Sequence, residues 1–420
     1  MVMLRCGDNS RGRYHPDCPE HTMFHDRQAG LTTLSLALGA FAIGVAEFAA
    51  MGLLPWYAAG FGVGEPEAGH AVSAYAIGVV IGAPVLAVLG AKLPRKVMLV
   101  ALIVVFGLAN LLTALAPTLP LMVVARFVAG LPHGAYLGIA MLIAADLAPP
   151  GRRASGIANV LMGLTLATII GVPAAGGIGQ LFGWRWCFVI VAVLAAVTAL
   201  MIARLAPRGT GAAGATSAAR ELRALSNRAI WLTLGVGAVG FGAVFAVYSY
   251  LSAAMISAAQ APGWAIPLAL SAFGMGATVG NVFGGRLANW STFGGTLALL
   301  CGMIVTSLLY AAVMGQWMAM IGAVLLLGCT ASMVIPLQMR LMDVAGEAQT
   351  MAAALNHAAF NAANALGPWL AGRALAADMG WASTGVTGAL LAVGGIFMLG
   401  LAWLDARRSE RLRGMALAGA

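Results

Sequence analysis

The stretch Gly44-Val-Ala-Glu47-Phe-Ala-Ala-Met51-Gly-Leu-Leu-Pro55 places a carboxylate inside an apolar run that begins near Leu31 and ends near Tyr57. At about 1.5 Å per helical residue such a run crosses a hydrocarbon layer of roughly 30 Å with some tilt. Glu47 is the only carboxylate in the interior of any long apolar segment of this chain. An ionisable side chain at that depth costs roughly 3 kcal/mol or more on insertion, so it marks a cavity, an ion path or a paired site.

Working outward, the whole chain shares this character. Of its 420 residues 61% are hydrophobic and 9% charged, with a mean hydropathy of +0.91, against about 45–50% and about 25% in soluble domains. Apolar runs punctuated by Gly, Pro and charge predict an all-α membrane protein with twelve transmembrane helices. They lie near 31–57, 69–90, 97–116, 119–147, 155–180, 184–205, 229–256, 264–287, 292–313, 317–342, 349–375 and 381–404.

The formal net charge is +9, but its placement excludes a nucleic-acid reading. All of the 23 Lys and Arg except Arg126, Arg185 and Arg373 fall in alternate connecting segments or tails. By the positive-inside rule this puts both termini and the central linker in the cytoplasm, beside anionic membrane lipid. The cysteines Cys6, Cys18, Cys187, Cys301 and Cys329 are scattered and odd in number, which predicts no disulfide framework. Cys6, His15, Cys18, His21 and His25 match no standard zinc spacing, so no metal or other cofactor is expected. No signal-peptide core precedes Leu31, and Met23 is a second candidate start.

The chain repeats itself at an offset near 197. Ser73-Ala74-Tyr75 matches Ser271-Ala272-Phe273, Gly78 and Gly82 match Gly276 and Gly280, and Gly130 matches Gly328. Asp146 matches Asp343, Asn159 matches Asn356, Gly183-Trp184 matches Gly380-Trp381, and Gly171-Val-Pro173 pairs with Gly367-Pro368 after a short gap. The expected organisation is a cytoplasmic tail (1–30), a six-helix half (31–205), a linker (206–228) that is flexible, basic and carries Gly209-Thr-Gly-Ala-Ala-Gly214, a second six-helix half (229–404) and a cytoplasmic tail (405–420).

Parallel six-helix halves describe the major facilitator architecture, with its substrate site between the halves. Three motifs make the resemblance more specific: Gly44-x-x-Glu47-Phe48-x-x-Met51-Gly-Leu-Leu-Pro55, Arg126-Phe-x-Ala-Gly130-Leu-Pro-His133-Gly134, and Gly171-Val-Pro173-Ala-Ala-Gly176-Gly177 with Gly183-Trp184-Arg185. From about residue 31 to 404, including Pro336-Leu-Gln338-Met-Arg340, the chain resembles the arabinose-efflux-permease group of drug:proton antiporters. That resemblance implies antiport, a gating role for Gly163, Gly171, Pro173, Gly176 and Gly177, and an equivalent part for Gly367 and Pro368 in the other half. One departure stands out. The family's loop between the second and third helices usually carries an Asp, and here Gly90-Ala-Lys92-Leu-Pro94-Arg95-Lys96 has none; the second half has Asn289 at the equivalent point. Lys92, Arg95 and Lys96 could instead pair with Asp146 as a cytoplasmic gate, or serve only as topology determinants.

Rise per residue sets Glu47 and Arg126 at similar depths, because each lies two to three turns from the outer end of its helix. The planar guanidinium suits a carboxylate, and protonating Glu47 would leave Arg126 uncompensated. Burial favours the neutral acid and a nearby cation favours the anion, so the proton on Glu47 can come and go as access alternates. The pair is therefore expected to couple protons; the alternative is a static structural pair. Candidates for a substrate cavity are Tyr75, Asn110, His133, Tyr136, Asn159, Tyr248, Asn356, Phe360, Asn361 and Asn364, with Tyr250, Gln338 and His357 also polar or aromatic within spans. Asn356, Phe360, Asn364 and Gly367 follow one helical face. His133 could be a second proton site, although a hydrogen-bonded helix histidine is the plainer reading.

The expectation is a monomeric, multi-pass protein of a bacterial-type inner membrane that exports small organic compounds (drugs, sugars or nucleoside-like metabolites) in exchange for protons. A facilitator or importer of the same fold, or a non-transporting receptor, is the competing reading. No phosphate-binding loop points to ATP, and no acid pair, nucleophile with base or metal set points to an enzyme.

Overall fold

The structure is a computed structural model that describes residues 19–90, 93–149, 153–207, 226–345 and 349–418. Helices fall at each of the twelve expected positions. In chain order they are α1 (Pro19–Gly52), α2 (His70–Gly90), α3 (Arg95–Leu115), α4 (Leu119–Leu147), α5 (Arg153–Leu166, continued by Ala167–Gly171 and Val172–Phe182) and α6 (Arg185–Leu205). The second half holds α7 (Arg228–Gly240, Gly242–Tyr248 and Leu251–Ser257), α8 (Ala265–Trp290), α9 (Thr292–Ala312), α10 (Trp317–Thr330, Ala331–Met333 and Val334–Ala345), α11 (Gln349–Ala376) and α12 (Ala382–Ala418). Counted over the described residues, ten helical runs are long and apolar enough to cross a membrane. The two outside that count, α2 and α11, lie in the same bundle, packed on each other.

Several boundaries differ from expectation for identifiable reasons. α1 stops at Gly52 rather than near Tyr57, and a short helix Leu54–Phe61 restarts with Pro55 in its first turn, where the missing N–H costs nothing. In α5 the turn Ala167–Gly171 widens to π geometry just before Pro173, which cannot donate to a ladder carbonyl. α12 runs on as helix to Ala418, through the segment read as a tail, and Asp405 on it meets Arg228 at 3.4 Å. Most of the expected linker, residues 208–225, lies outside the described residues.

The duplication read from sequence is a duplication of packing. An added Cβ at Gly78 would run into the Phe127 carbonyl and one at Gly130 into that of Tyr75, binding α2 to α4. In the second half Gly276 meets the Leu325 carbonyl and Gly328 that of Phe273, binding α8 to α10 in the same way. Small residues let backbones approach this closely in a medium that gives helices no hydrophobic drive to associate. Gly183 and Gly380, the matched pair before Trp184 and Trp381, both take positive φ (96° and 74°). The chain is thus an all-helical membrane protein of two repeated halves, and the seam between them positions the site.

Candidate functional site

Glu47 sits where α1 meets both halves. Gly44, one turn earlier, lets α5 come close enough that an added Cβ would lie 2.8 Å from the Ala167 Cβ. The carboxyl is buried, 7% exposed, and its Oε1 accepts a hydrogen bond of 3.0 Å from Asn364 Nδ2 on α11. That bond crosses the seam. The other amide atom, Asn364 Oδ1, is buried with no partner. Pro368 on the same helix withholds the N–H that would otherwise reach the Asn364 carbonyl, so α11 is loosened at this turn.

Arg126 on α4 is fully buried, and its guanidinium lies over the Tyr75 ring at 4.2 Å, with Phe188 at 5.5 Å on α6. Its Nε and both Nη atoms lack hydrogen-bond partners. It is close enough to interact electrostatically with Glu47, Tyr75 and Tyr57, yet Glu47 is held by Asn364 and not by the guanidinium. Tyr75 Oη and His133 Nδ1 are hydrogen-bonded at 3.0 Å, which gives the buried histidine the satisfied helix partner expected of it. Depth arithmetic thus brought Glu47 and Arg126 to one neighbourhood, and packing gave the acid a different partner in this conformation.

The contacts joining the halves gather toward the face away from the termini. On one flank, between α5 and α8, Leu270 fills the space over Gly52 and Gly176, whose added Cβ atoms would lie 2.9 and 3.5 Å from its methyl. Beside it Gly274 approaches the Thr168 carbonyl, with an added Cβ at 2.8 Å. On the other flank, between α2 and α11, Ser73 Oγ donates to the Ala365 carbonyl at 3.1 Å. Tyr250 of α7 donates to the Pro368 carbonyl at 3.1 Å within the second half, and its hydroxyl, also beside Gly372, reaches across the seam to Gly69. Phe48 packs on Phe245 and Tyr248 between the flanks.

Toward the face of the termini a cavity of about 800 Å³ is lined by α1, α4 and α5, with Leu34, Leu38, Phe41 and Met162 among its apolar walls and Thr33, Ser155 and Asn159 as its polar groups. Near it Arg95 and Asp146 pair at 2.8 Å, and Lys96 donates to the Ala206 carbonyl at 2.6 Å. Lys92 lies outside the described residues.

The remaining candidates separate by location. Gly163 and Gly171 press α5 onto α1, at the Ala37 carbonyl and at Val45, while Gly176 faces Leu270 and Gly177 has nothing near it. Pro173 stands in the first turn of the last segment of α5, and Gly367 packs α11 on α7 at the Gly242 carbonyl. Asn356 donates to Gln338 Oε1 at 2.7 Å, Phe360 meets Phe241 edge to face at 4.7 Å, and Asn361 donates to the His357 carbonyl. The face they share is turned on α7 and α10, with Asn364 alone among them reaching α1. Tyr248 is buried with a free hydroxyl, its ring 4.4 Å from that of Phe273. Asn110 and Tyr136 stand apart, inside the first half: Asn110 donates to the Phe106 carbonyl of its own helix, and Tyr136 donates to the Leu36 carbonyl. Leu270, Ser73 and Tyr57 were not foreseen as site residues, and Gly52 and Ser73 stood out only as members of the α1 motif and of the internal repeat.

Comparison with known proteins gives this geometry its context. The family model described as Major Facilitator Superfamily matches residues 36–345. The chain is 37% identical over 377 residues to the inner membrane transport protein YdhP of Escherichia coli (strain K12), covering 89% of this chain and 96% of that one. It is 34% identical over 257 residues to a chloramphenicol resistance protein of Streptomyces lividans, covering 60% and 66%. Among solved structures, a bacterial homologue of the human lysosomal transporter Spinster, in an inward-facing and unoccupied conformation, aligns with a TM-score of 0.67 at 17% identity, covering 90% of this chain and 97% of that one.

Proposed function

The chain belongs to the major facilitator superfamily, a transporter and not an enzyme, and from that premise we propose that it exports small organic compounds in exchange for protons. The observation that carries this reading is a single buried acid, Glu47, bonded across the seam to Asn364 while an unpaired Arg126 waits nearby. Alternating access requires the seam to part on one face as it closes on the other. A group that changes charge at the seam biases that equilibrium by the difference in its interactions in the two states.

Export is supported by the antiporter motif of α5 and by the name of the chloramphenicol resistance relative. The proposed substrates are drugs, sugars or nucleoside-like metabolites, and the 800 Å³ cavity on the first-half helices α1, α4 and α5 offers them apolar walls with few polar groups. We take both termini to lie in the cytoplasm of a bacterial-type inner membrane, which makes the closed seam face outward and the cavity face inward. Protons are taken up from outside on Glu47, with Arg126 as counter-ion. The protein works as a monomer, and the Arg95–Asp146 pair with Lys96 steadies the cytoplasmic ends.

Proton movement in energised inverted vesicles containing the protein tests this reading as drugs, pentoses and nucleosides are added, with Glu47→Gln alongside. Substrate-triggered proton release that vanishes in the variant is expected. Full pH-gradient-driven transport by Glu47→Gln would remove Glu47 from the role, and labelled substrate that equilibrates without proton movement would make the protein a facilitator.

A further inference from the structure

Only half of the Asn364 amide is used. Nδ2 donates to Glu47 Oε1, while Oδ1 of the same amide is buried and unpartnered. An amide offers a donor and an acceptor side by side; a carboxylate offers acceptors alone, whereas a carboxylic acid offers one of each. The neutral acid can therefore answer both atoms, with Oε1 accepting from Nδ2 and the acid O–H donating to Oδ1, in a ring of two parallel hydrogen bonds. Facing the anion, Oδ1 would meet a second acceptor and stay unsatisfied in a site that excludes water, which is costly.

Arg126 gives the same answer from the other side. Its three nitrogens are buried without partners, and a charged carboxylate nearby would be drawn to that fork. Here the carboxyl is turned to an amide instead. The other groups around Glu47 offer no competing charge. Tyr75 on α2 and Tyr57 beyond α1 are phenols, and Tyr75 is bound to His133. α5 carries no ionisable side chain between Ser155 and Phe182, and neither does Leu251–Ser257 of α7. On α6, Cys187 is bound to the Ala175 carbonyl, Arg185 to that of Ala116, and Arg204 lies in the last turn. On α11, His357 stands two turns before Asn364 and Arg373 lies in the last turn.

We propose that Asn364 is a positioning residue that recognises the protonated form of Glu47 and holds the far face of the seam closed, and that deprotonation passes the carboxylate to Arg126 and frees α11 from α1. This rests on the reading of Glu47 as proton carrier. In the closed state Glu47 is the neutral acid paired with the amide. When its O–H bond breaks, the proton leaves to water on the face of the termini, and the carboxylate and guanidinium form an ion pair within the first half. Proton uptake reverses both changes.

The test uses the full chain in proteoliposomes carrying Val72→Cys on α2, a position 1% exposed and packed into the core of the second half while the seam is closed. Labelling by a membrane-impermeant maleimide from the far face is compared with the chain lacking that substitution. Between about pH 5 and about pH 9 labelling is expected to rise about tenfold as Glu47 ionises. Glu47→Gln should stay protected throughout, because its amide forms the same two-bond ring with Asn364. Asn364→Leu should flatten the pH response, and Asn364→Gln, which keeps donor and acceptor, should restore part of it. A flat response in the chain carrying Val72→Cys alone, an unchanged response when Asn364→Leu is added to it, or alkaline labelling with Glu47→Gln added equal to that of Val72→Cys alone would each overturn the proposal. If Glu47→Gln abolishes proton-driven transport while any of these is seen, the recognition by Asn364 falls and the carrier role of Glu47 stands; if Glu47→Gln transports normally, both fall.

Discussion

The two flanks of the closed seam are built from different chemistry. Between α5 and α8, Leu270 lies over Gly52 and Gly176, and Gly274 touches the Thr168 carbonyl, so closure there is apolar packing. Along α11, closure runs through the Ser73 hydroxyl of α2 on the Ala365 carbonyl and through the bond from Asn364 to Glu47 of α1. Packing energy does not depend on pH, whereas a hydrogen bond to a titrating acid does. The difference separates strength from control: the α5/α8 flank supplies a constant closing force, and the α2/α11 flank supplies the part that a proton can change.

The largest expected effect lies on the packed flank. Leu270→Ala removes a fully buried side chain, a change that costs about 2–5 kcal/mol in well-packed cores; in the open seam Leu270 contributes little, so most of that loss falls on the closed state. Labelling at Val72→Cys should rise strongly and by the same factor at acid and alkaline pH, and a rise confined to one pH range would break the division of labour. Next comes Gly274→Val, where overpacking against Thr168 costs about 1–3 kcal/mol, a shift of roughly 5- to 150-fold toward the open seam. Gly163→Val is its control. Its side chain would meet the Ala37 carbonyl within one half, so it should lower the Tm of the purified chain without a matching rise in labelling.

These contrasts also show what the sequence could carry. Length and hydropathy of each run placed the helices, and Pro55, Pro173 and Pro336 mark, in the sequence itself, places where a helix restarts or its turn changes. The breaks in α7 at Phe241 and at Ser249-Tyr250 carry no proline and were not legible. Glu47 stood out because a lone buried acid is expensive wherever it lies. Asn364 did not, since Asn356, Asn361 and Asn364 share one helix and one chemistry; only the approach of α1 across the seam gives one of them the acid. Leu270 was one leucine among many, and nothing short of a packed structure could assign it to a pair of glycines.

Smaller effects sharpen the polar flank. Tyr250→Phe removes a hydrogen bond to the Pro368 carbonyl that lies within the second half, worth about 0.5–1.5 kcal/mol, and only the contact of its hydroxyl with Gly69 crosses the seam. Labelling at Val72→Cys should therefore rise only modestly at every pH, with the slope of the pH response kept. A lost slope would make Tyr250, rather than Asn364, the group that answers to Glu47.

Ser73→Ala should move the seam least. Its Oγ donates to the Ala365 carbonyl at 3.1 Å, but a carbonyl has two lone pairs, and this one also lies in reach of the Trp369 N–H in the ladder of α11. Deleting the hydroxyl therefore leaves no orphaned acceptor, and the cost stays near the lower end of about 0.5–1.5 kcal/mol for a hydrogen bond. The informative quantity is again the slope. The Ala365 carbonyl that Ser73 meets lies one residue along α11 from Asn364, so if polarity as such gave this flank its pH response, Ser73→Ala would weaken that response. If the response belongs to the acid–amide pair, Ser73→Ala should leave it intact and Asn364→Leu should erase it in the presence or absence of the serine. Equal slopes for the chain and for Ser73→Ala, measured by the same labelling, would confine control of the seam to one pair of side chains.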